Sequence, residues 1–283
     1  MNQFGGNWTE NKIEILIEYA GAYLTIMNPY AIKNNWQLLY FDGFAGSGEI
    51  TKGNNEDLKI IMGATGRILE IDTPRPFDMY YFVEKEKENF KLLKETTKDK
   101  FPNKIIHVVE DDCNTKIKAL SKFMDNRREY RALAYIDPCG MQLDWESIQS
   151  LEKLNVDVWI LIPTGMGVNR LLKKDGKISD AWISKLEIFL GMTKDEILNY
   201  FYNQTVVNTL FGEEVIVKKE DKTIEKSADL YKYRLNGLFK YVSNPYILKN
   251  KANSTMFHFL MASNNQTAVK VANDIVKKYN KQI

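Results

Sequence analysis

Five short apolar runs constrain this chain more than any other feature. Leu38 to Phe41 stops at Asp42, and Met79 to Val83 stops at Glu84. Ile105 to Val109 stops short of Asp111 and Asp112, and Leu133 to Ile136 stops at Asp137. Val156 to Ile162 stops at Pro163. The runs are rich in Val, Ile and aromatics and are continuous, as strands buried on both faces of a parallel sheet are. Helical spacings lie between them: Phe90 and Leu93, then Ile117, Leu120 and Phe123, then Ile148, Leu151 and Leu154. Strand alternating with helix predicts an α/β fold with a doubly wound sheet. Ligands of such sheets bind beyond the carboxyl ends of the strands. Four of the five runs reach a carboxylate there, which points to a polar ligand along that edge.

The remaining segments dress this sheet. Residues 1–36 read as an amino-terminal helical segment, with Ile13, Leu16, Ile17, Ala20, Leu24 and Met27 at helical spacing and Pro29 ending or bending it. Residues 171–235 read as an inserted helical lobe that meets substrate or partner. In it Thr193 to Glu196 forms a capping box opening a helix that Gly212 closes. Tyr246 to Leu248 and Met256 to Met261 then read as a hairpin. Length alone suggests about two domains. Strands that resume after the lobe argue instead for one domain over 1–283.

Composition removes several chemistries. The only cysteines, Cys113 and Cys139, cannot build a disulfide framework. The only histidines, His107 and His258, fall inside predicted strands and read as packed residues. No metal-ligand spacing exists, so no metal is expected. The 39 basic and 37 acidic residues leave a charge of +2, so nucleic-acid binding would need a local patch or a partner. No run of 18 apolar residues suggests a membrane span, and Met1 to Trp8 lacks the pattern of a signal peptide. A cytoplasmic protein is expected.

The turn Asp42-Gly43-Phe44-Ala45-Gly46-Ser47-Gly48 follows the first strand. A phosphate loop requires Lys and Ser/Thr where Glu49 and Ile50 stand, and a dinucleotide fingerprint requires a third glycine where Thr51 stands. S-adenosylmethionine (SAM) has no pyrophosphate and needs neither. Asp42, Phe44, Gly46 and Gly48 are the candidates for its amino acid part, Glu84 for its ribose hydroxyls and Asp112 for its adenine. Asp137-Pro138 ends the fourth strand, where the acid and the proline carbonyl can accept hydrogen bonds from an amino group. Cys139 and Gly140 follow, where amino-methylating enzymes of nucleic acid carry proline and an aromatic. Stacking on a flipped base would then fall to Trp145 or Trp8. Cys139 reads as a pocket-lining residue, because no neighbour that lowers a thiol pKa is visible. Arg170 after the fifth strand is either a phosphate-directed cation or a solvated turn residue.

These pieces resemble the three-Cys-motif partner proteins. The resemblance rests on Gly5-Gly6-Asn7-Trp8-Thr9 with Lys12, the Asp42 to Gly48 turn, Asp137-Pro138 with Gly140, Pro163 with Arg170, and Phe239 to Val242 through to Ala262-Ser263-Asn264. It implies a Rossmann-like class I methyltransferase sheet of seven strands with a carboxyl-terminal antiparallel hairpin, SAM as cofactor, and a separate three-Cys-motif protein as partner. It implies no settled substrate. The leading expectation is methyl transfer to an amino nitrogen, adenine N6 of DNA or RNA above all. The alternatives are a SAM-binding partner subunit and a methyltransferase for a small molecule or protein.

Overall fold

A computed structural model describes residues 7–52, 59–210 and 212–281. Its elements are α1 (Asn7–Asn34), β1 (Gln37–Asp42), β2 (Glu49–Lys52), β3 (Lys59–Met62), α2 (Ala64–Leu69), β4 (Met79–Glu84), α3 (Lys87–Lys100), β5 (Ile106–Glu110), α4 (Cys113–Asn126), β6 (Tyr130–Ile136), α5 (Trp145–Gln149) and β7 (Val156–Ile162). A π-helical turn, Thr164–Val168, leads into α6 (Asn169–Leu171), α7 (Asp180–Leu190) and α8 (Lys194–Phe201). Then come β8 (Tyr202–Thr209), β9 (Gly212–Lys219), α9 (Thr223–Leu238), β10 (Tyr241–Val242), β11 (Tyr246–Lys249), β12 (Thr255–Ser263) and α10 (Gln266–Asn280).

The five apolar runs are β1, β4, β5, β6 and β7, and their pairings with one another are all parallel. The order across the sheet is β5-β4-β1-β6-β7-β12, with β10 and β11 both paired to the far side of β12. β12 runs antiparallel to β7, β10 and β11. β10 and β11 are two pieces of one outer strand. Between them Ser243 N–H donates to the Met261 carbonyl at 2.8 Å, and Met261 N–H donates to Ser243 Oγ at 2.9 Å, so the buried serine carries the ladder across the break. Counted as one, the pieces give seven strands and the class I methyltransferase arrangement. Successive connections leave β1 in one direction for β4 and β5 and return to β6 on its other side. The strand order therefore reverses between β1 and β6.

Each sheet face carries its own core. On one, Tyr40, Tyr80, Phe82, Tyr135, Trp159 and Phe259 pack under α1, α2, α3 and α10. On the other, Phe41, Ala134, Ile160 and Leu260 pack under α4, α5 and the helices α7, α8 and α9. The lobe thus shares a continuous core with the sheet. It departs from the helical expectation. The capping box at Thr193 and Glu196 does open α8, but α8 ends at Phe201 and an antiparallel ribbon, β8–β9, follows. Thr205, Val206, Val207, Ile216 and Val217 are β-branched and favour a strand once the capped turn is spent. Gly212, with φ of +115°, begins the second strand of that ribbon and closes no helix.

Two smaller expectations are also corrected. α1 does not end at Pro29 but continues to Asn34, where the turn beyond it buries Ala31 and Asn28 Nδ2 donates to the Arg75 carbonyl at 3.1 Å. The first crossover carries the short antiparallel pair β2–β3 before α2. His107 is exposed, since β5 is the outermost strand, whereas His258 is buried on β12. Among the described residues no helix is long and apolar enough to cross a membrane.

At the amino-terminal end of the strands, Asp157 on β7 is a half-buried tie. It accepts hydrogen bonds from Tyr19 Oη of α1 at 2.7 Å and from Ser263 Oγ of β12 at 2.5 Å. Burial pushes its pKa up to about 6 in spite of these donors.

Candidate active site

Parallel strands place their carboxyl ends along one edge, and three of the predicted acids meet there. Asp42 ends β1 and is 1% exposed, with Oδ1 accepting from Phe44 N–H at 3.1 Å. Glu84 ends β4, and its Oε1 accepts from Glu86 N–H at 2.7 Å. Asp137 follows β6, across the reversal point from Asp42. Burial raises the pKa of Asp42 to about 8, and the charges of Asp137 and Glu84 push the same way. The Phe44 N–H and the Lys12 ammonium oppose the rise without cancelling it. Asp42 therefore keeps its proton near neutral pH, and a cation that takes the place of that proton would be favoured by Asp137 and Glu84 beside it.

The turn after Asp42 is built for close approach. Gly46 and Gly48 have φ of +63° and +79°, a region that side chains with a Cβ rarely adopt. A Cβ on Gly43 would stand 2.5 Å from Cys113 Sγ, so that position is closed to larger residues. Ala45 N–H donates to the Val83 carbonyl and Gly63 N–H to the Gly48 carbonyl, each at 3.0 Å, which pins the turn to its neighbours.

Lys12 supplies what the sequence left without a role. Its ammonium pairs with Asp137 Oδ2, which also accepts from Tyr135 Oη at 2.8 Å. The Lys12 side chain is only 6% exposed, and a buried ammonium persists where an anion meets it. Oδ1 of Asp137 has no hydrogen-bond partner among the described residues. The signal was present in the sequence: Lys12 lies four residues before Leu16, on the apolar stripe of α1, where a lysine is out of place.

The other expected residues divide. Asp112 is the N-cap of α4, its Oδ1 accepting from Asn114 N–H at 2.9 Å and Thr115 N–H at 3.4 Å. Only Oδ2 remains, 3.3 Å from the exposed Lys85 ammonium. Pro138 is buried and Gly140 half-buried beside Asp137. Cys139 is exposed as a residue, and partial desolvation of its thiol, with the nearby Asp137 charge, pushes its pKa up, away from a thiolate nucleophile. Trp145 corrects an expectation. It is buried, with Tyr231 edge-on at 5.4 Å and the Arg234 guanidinium 4.5 Å over its ring, and Cβ of Gly191 would collide with it. It fixes the lobe to α5 and presents no face for stacking a base. Trp8 lies in the first turn of α1, and its side chain is outside the described residues, as are Gly5 and Gly6. Arg170 is exposed on α6.

The loop after β7 is held by a buried pair, Thr164 Oγ1 and His258 Nδ1 at 2.8 Å. Burial lowers the His258 pKa to about 4, so the ring is neutral. Gly165 lets this loop touch the Thr255 backbone, where a Cβ would stand 2.0 Å from the carbonyl oxygen. Among the described residues no cluster of three or more potential ligands could hold a metal ion. A cavity of about 340 Å³ under α4 and one of about 600 Å³ at the opposite end of the strands are not lined by the three acids.

No family model and no curated protein matches the chain. Solved structures of similar shape do exist. The Legionella pneumophila protein LPL1258 is 14% identical, covers 92% of this chain and 91% of its own length, and has a TM-score of 0.43. Trm1 from Pyrococcus horikoshii, solved with S-adenosyl-L-methionine, is 11% identical, covers 99% and 75%, and has a TM-score of 0.39. A SAM-dependent methyltransferase from Clostridium acetobutylicum is 10% identical, covers 91% and 92%, and has a TM-score of 0.38.

Proposed function

We propose that the chain is a SAM-dependent methyltransferase acting on an amino nitrogen, with adenine in DNA or RNA as the leading substrate. The observation that carries this reading is the meeting of Asp42, Glu84 and Asp137 around a glycine turn at the reversal point of the sheet. Asp42 and the Phe44 to Gly48 turn would hold the cationic amino acid part of SAM. Glu84 would accept the ribose hydroxyls, and Asp112 Oδ2 would face the adenine side. When bound, SAM supplies a methyl group already activated on a sulfonium.

The chain's task is then alignment, and near-attack positioning is worth several orders of magnitude in rate. Asp137 Oδ1 and the Pro138 carbonyl accept hydrogen bonds from the target amino group and turn its lone pair toward the methyl. Lys12 and Tyr135, both on Oδ2, hold the carboxylate in that orientation. Replacing Asp137 alone would strand a buried ammonium, so the informative variant is Lys12→Met with Asp137→Ala. Labelled SAM incubated with DNA, RNA and protein fractions tests the reading. Transfer by wild type and none by the double variant supports it. Failure of the wild type to bind SAM in calorimetry sinks it.

A second reading has its own support. Cys139 and Gly140 stand where stacking residues belong, and Trp145 is committed to the lobe. The chain could thus be the SAM-binding subunit of a pair, with a three-Cys-motif protein completing the substrate site. Transfer that requires both chains together would favour it.

A further inference from the structure

The outer strand β5 has an open edge. Tyr80 N–H donates to the Ile105 carbonyl and Asp111 N–H to the Glu84 carbonyl. Alternate residues of a parallel strand serve its neighbour. Ile105, His107, Val109 and Asp111 therefore face β4, and the N–H and C=O groups of Ile106, Val108 and Glu110 point outward. Such a row is a template for another strand unless it is blunted. Here the flanks are apolar. Ile105 is 57% exposed at the start of the strand. A cavity of about 710 Å³ on the α3 side is lined in part by Phe101, Ile106 and Val108. The cavity of about 340 Å³ on the α4 side is lined in part by Phe41, Tyr81 and Phe123.

Charge identifies what fits this edge. Lys98 and Lys100 close α3 beside the beginning of β5, and both are exposed without an ion pair among the described residues. Glu110 ends β5, exposed and likewise without one. Even with the exposed Asp99 between the two lysines, that end of the edge is net basic, and the other end is acidic. We propose that β5 is the pairing strand of a symmetric dimer, in which a second copy of this chain adds its own β5 antiparallel and joins the two sheets. A two-fold axis at Val108 sets Ile106 opposite Glu110 of the second copy. Side chains two apart share a face, so Glu110 lies on the α3 side with Ile106. It would reach the Lys98 end of the other protomer, and the reverse contact forms by symmetry. Five paired residues bury less than the roughly 1,000 Å² of a stable interface, so α3 and α4, on opposite faces of the edge, must meet their counterparts as well. This inference is independent of the methyltransferase reading.

Light scattering on the intact chain tests it. Wild type should show twice the chain mass at high concentration. Val108→Pro removes an outward donor and spares the β4 ladder, so it should give a monomer with an unchanged circular dichroism spectrum. Glu110→Lys should weaken dimerisation roughly tenfold or more by setting like charges together. Adding Lys98→Glu to it should restore the dimer. A wild type that is monomeric at every concentration overturns the proposal, and so does a double variant that fails to restore association. Binding of an extended acidic peptide to a monomeric wild type would assign the edge to another partner and overturn it too.

Discussion

The two ends of the central strands each hold a carboxylate with a raised pKa and treat it in opposite ways. At the amino-terminal end Asp157 has a donor on each oxygen, Tyr19 from α1 and Ser263 from β12. At the carboxyl-terminal end Asp42 has one backbone donor and two anionic neighbours, Asp137 and Glu84. The difference shows in proton affinity, with Asp157 raised to about 6 and Asp42 to about 8. An acid whose needs the chain meets is a fastener. An acid left short is open to a ligand, and under the proposed function that ligand is the amino group of SAM. Asp42 is 1% exposed and Asp157 is half-buried, so both burial and the supply of donors separate the two ends.

This contrast can be broken at several points. The largest effect is expected for Lys12→Met with Asp137→Ala: methyl transfer should fall by at least about 10²–10³, while calorimetric SAM binding and the circular dichroism spectrum persist. Wild-type turnover by this variant would remove Asp137 from the chemistry. Next, Asp42→Asn should weaken SAM binding by roughly tenfold or more, the worth of a hydrogen bond to a charged group. The same change should stabilise the free protein at pH 8. Folded Asp42 keeps its proton up to about pH 8, whereas its ordinary value is 3.8. Its contribution to stability is therefore full below about pH 4 and is lost as pH rises toward 8. The variant should melt higher than wild type at pH 8 and show no such advantage near pH 4. A variant that melts lower at pH 8 would mean that Asp42 is as well satisfied as Asp157.

Asp157→Asn should do the reverse of Asp42→Asn. Its amide turns a donor toward Tyr19 or Ser263, so unfolding free energy should drop by about 1–3 kcal/mol in denaturant titrations, with SAM affinity unchanged. A loss of SAM affinity would erase the distinction between the two ends. The smallest effect is a proton count. SAM bound near pH 7 should expel nearly one proton from Asp42, seen as a dependence of calorimetric heat on buffer ionisation enthalpy. Affinity should rise with pH as Asp42 ionises toward about 8 and fall above it as the α-amino group of SAM loses its proton.

Much of this was legible in the residues. The continuous apolar runs became the parallel strands, and Asp42, Glu84 and Asp137 took their places because a strand's end is fixed by where its apolar run stops. What escaped was of two kinds. The Lys12–Asp137 contact joins residues 125 positions apart, and no local rule links them. Trp145 looked available because sequence shows an aromatic beside the site and hides the Arg234 and Tyr231 that enclose it. The β8–β9 ribbon was missed for another reason. Its strands are mostly exposed, so the apolar rhythm that reveals a buried strand was weak, and the strong cap at Thr193 extended the helical reading past Phe201.

The broken outer strand formed by β10 and β11 has a consequence for assembly. Its interruption carries Pro245, whose carbonyl accepts from Asn280 Nδ2 at 3.2 Å, and Asn244 N–H donates to Asn273 Oδ1 at 2.7 Å. Side chains of α10 thus bond the break in this rim, and the proline there cannot donate, which interrupts the row of groups a further strand would need. A sheet with two receptive rims polymerises. One with a single receptive rim has a valence of one, so association through β5 would terminate at two copies and leave no sticky end for a fibre to grow from.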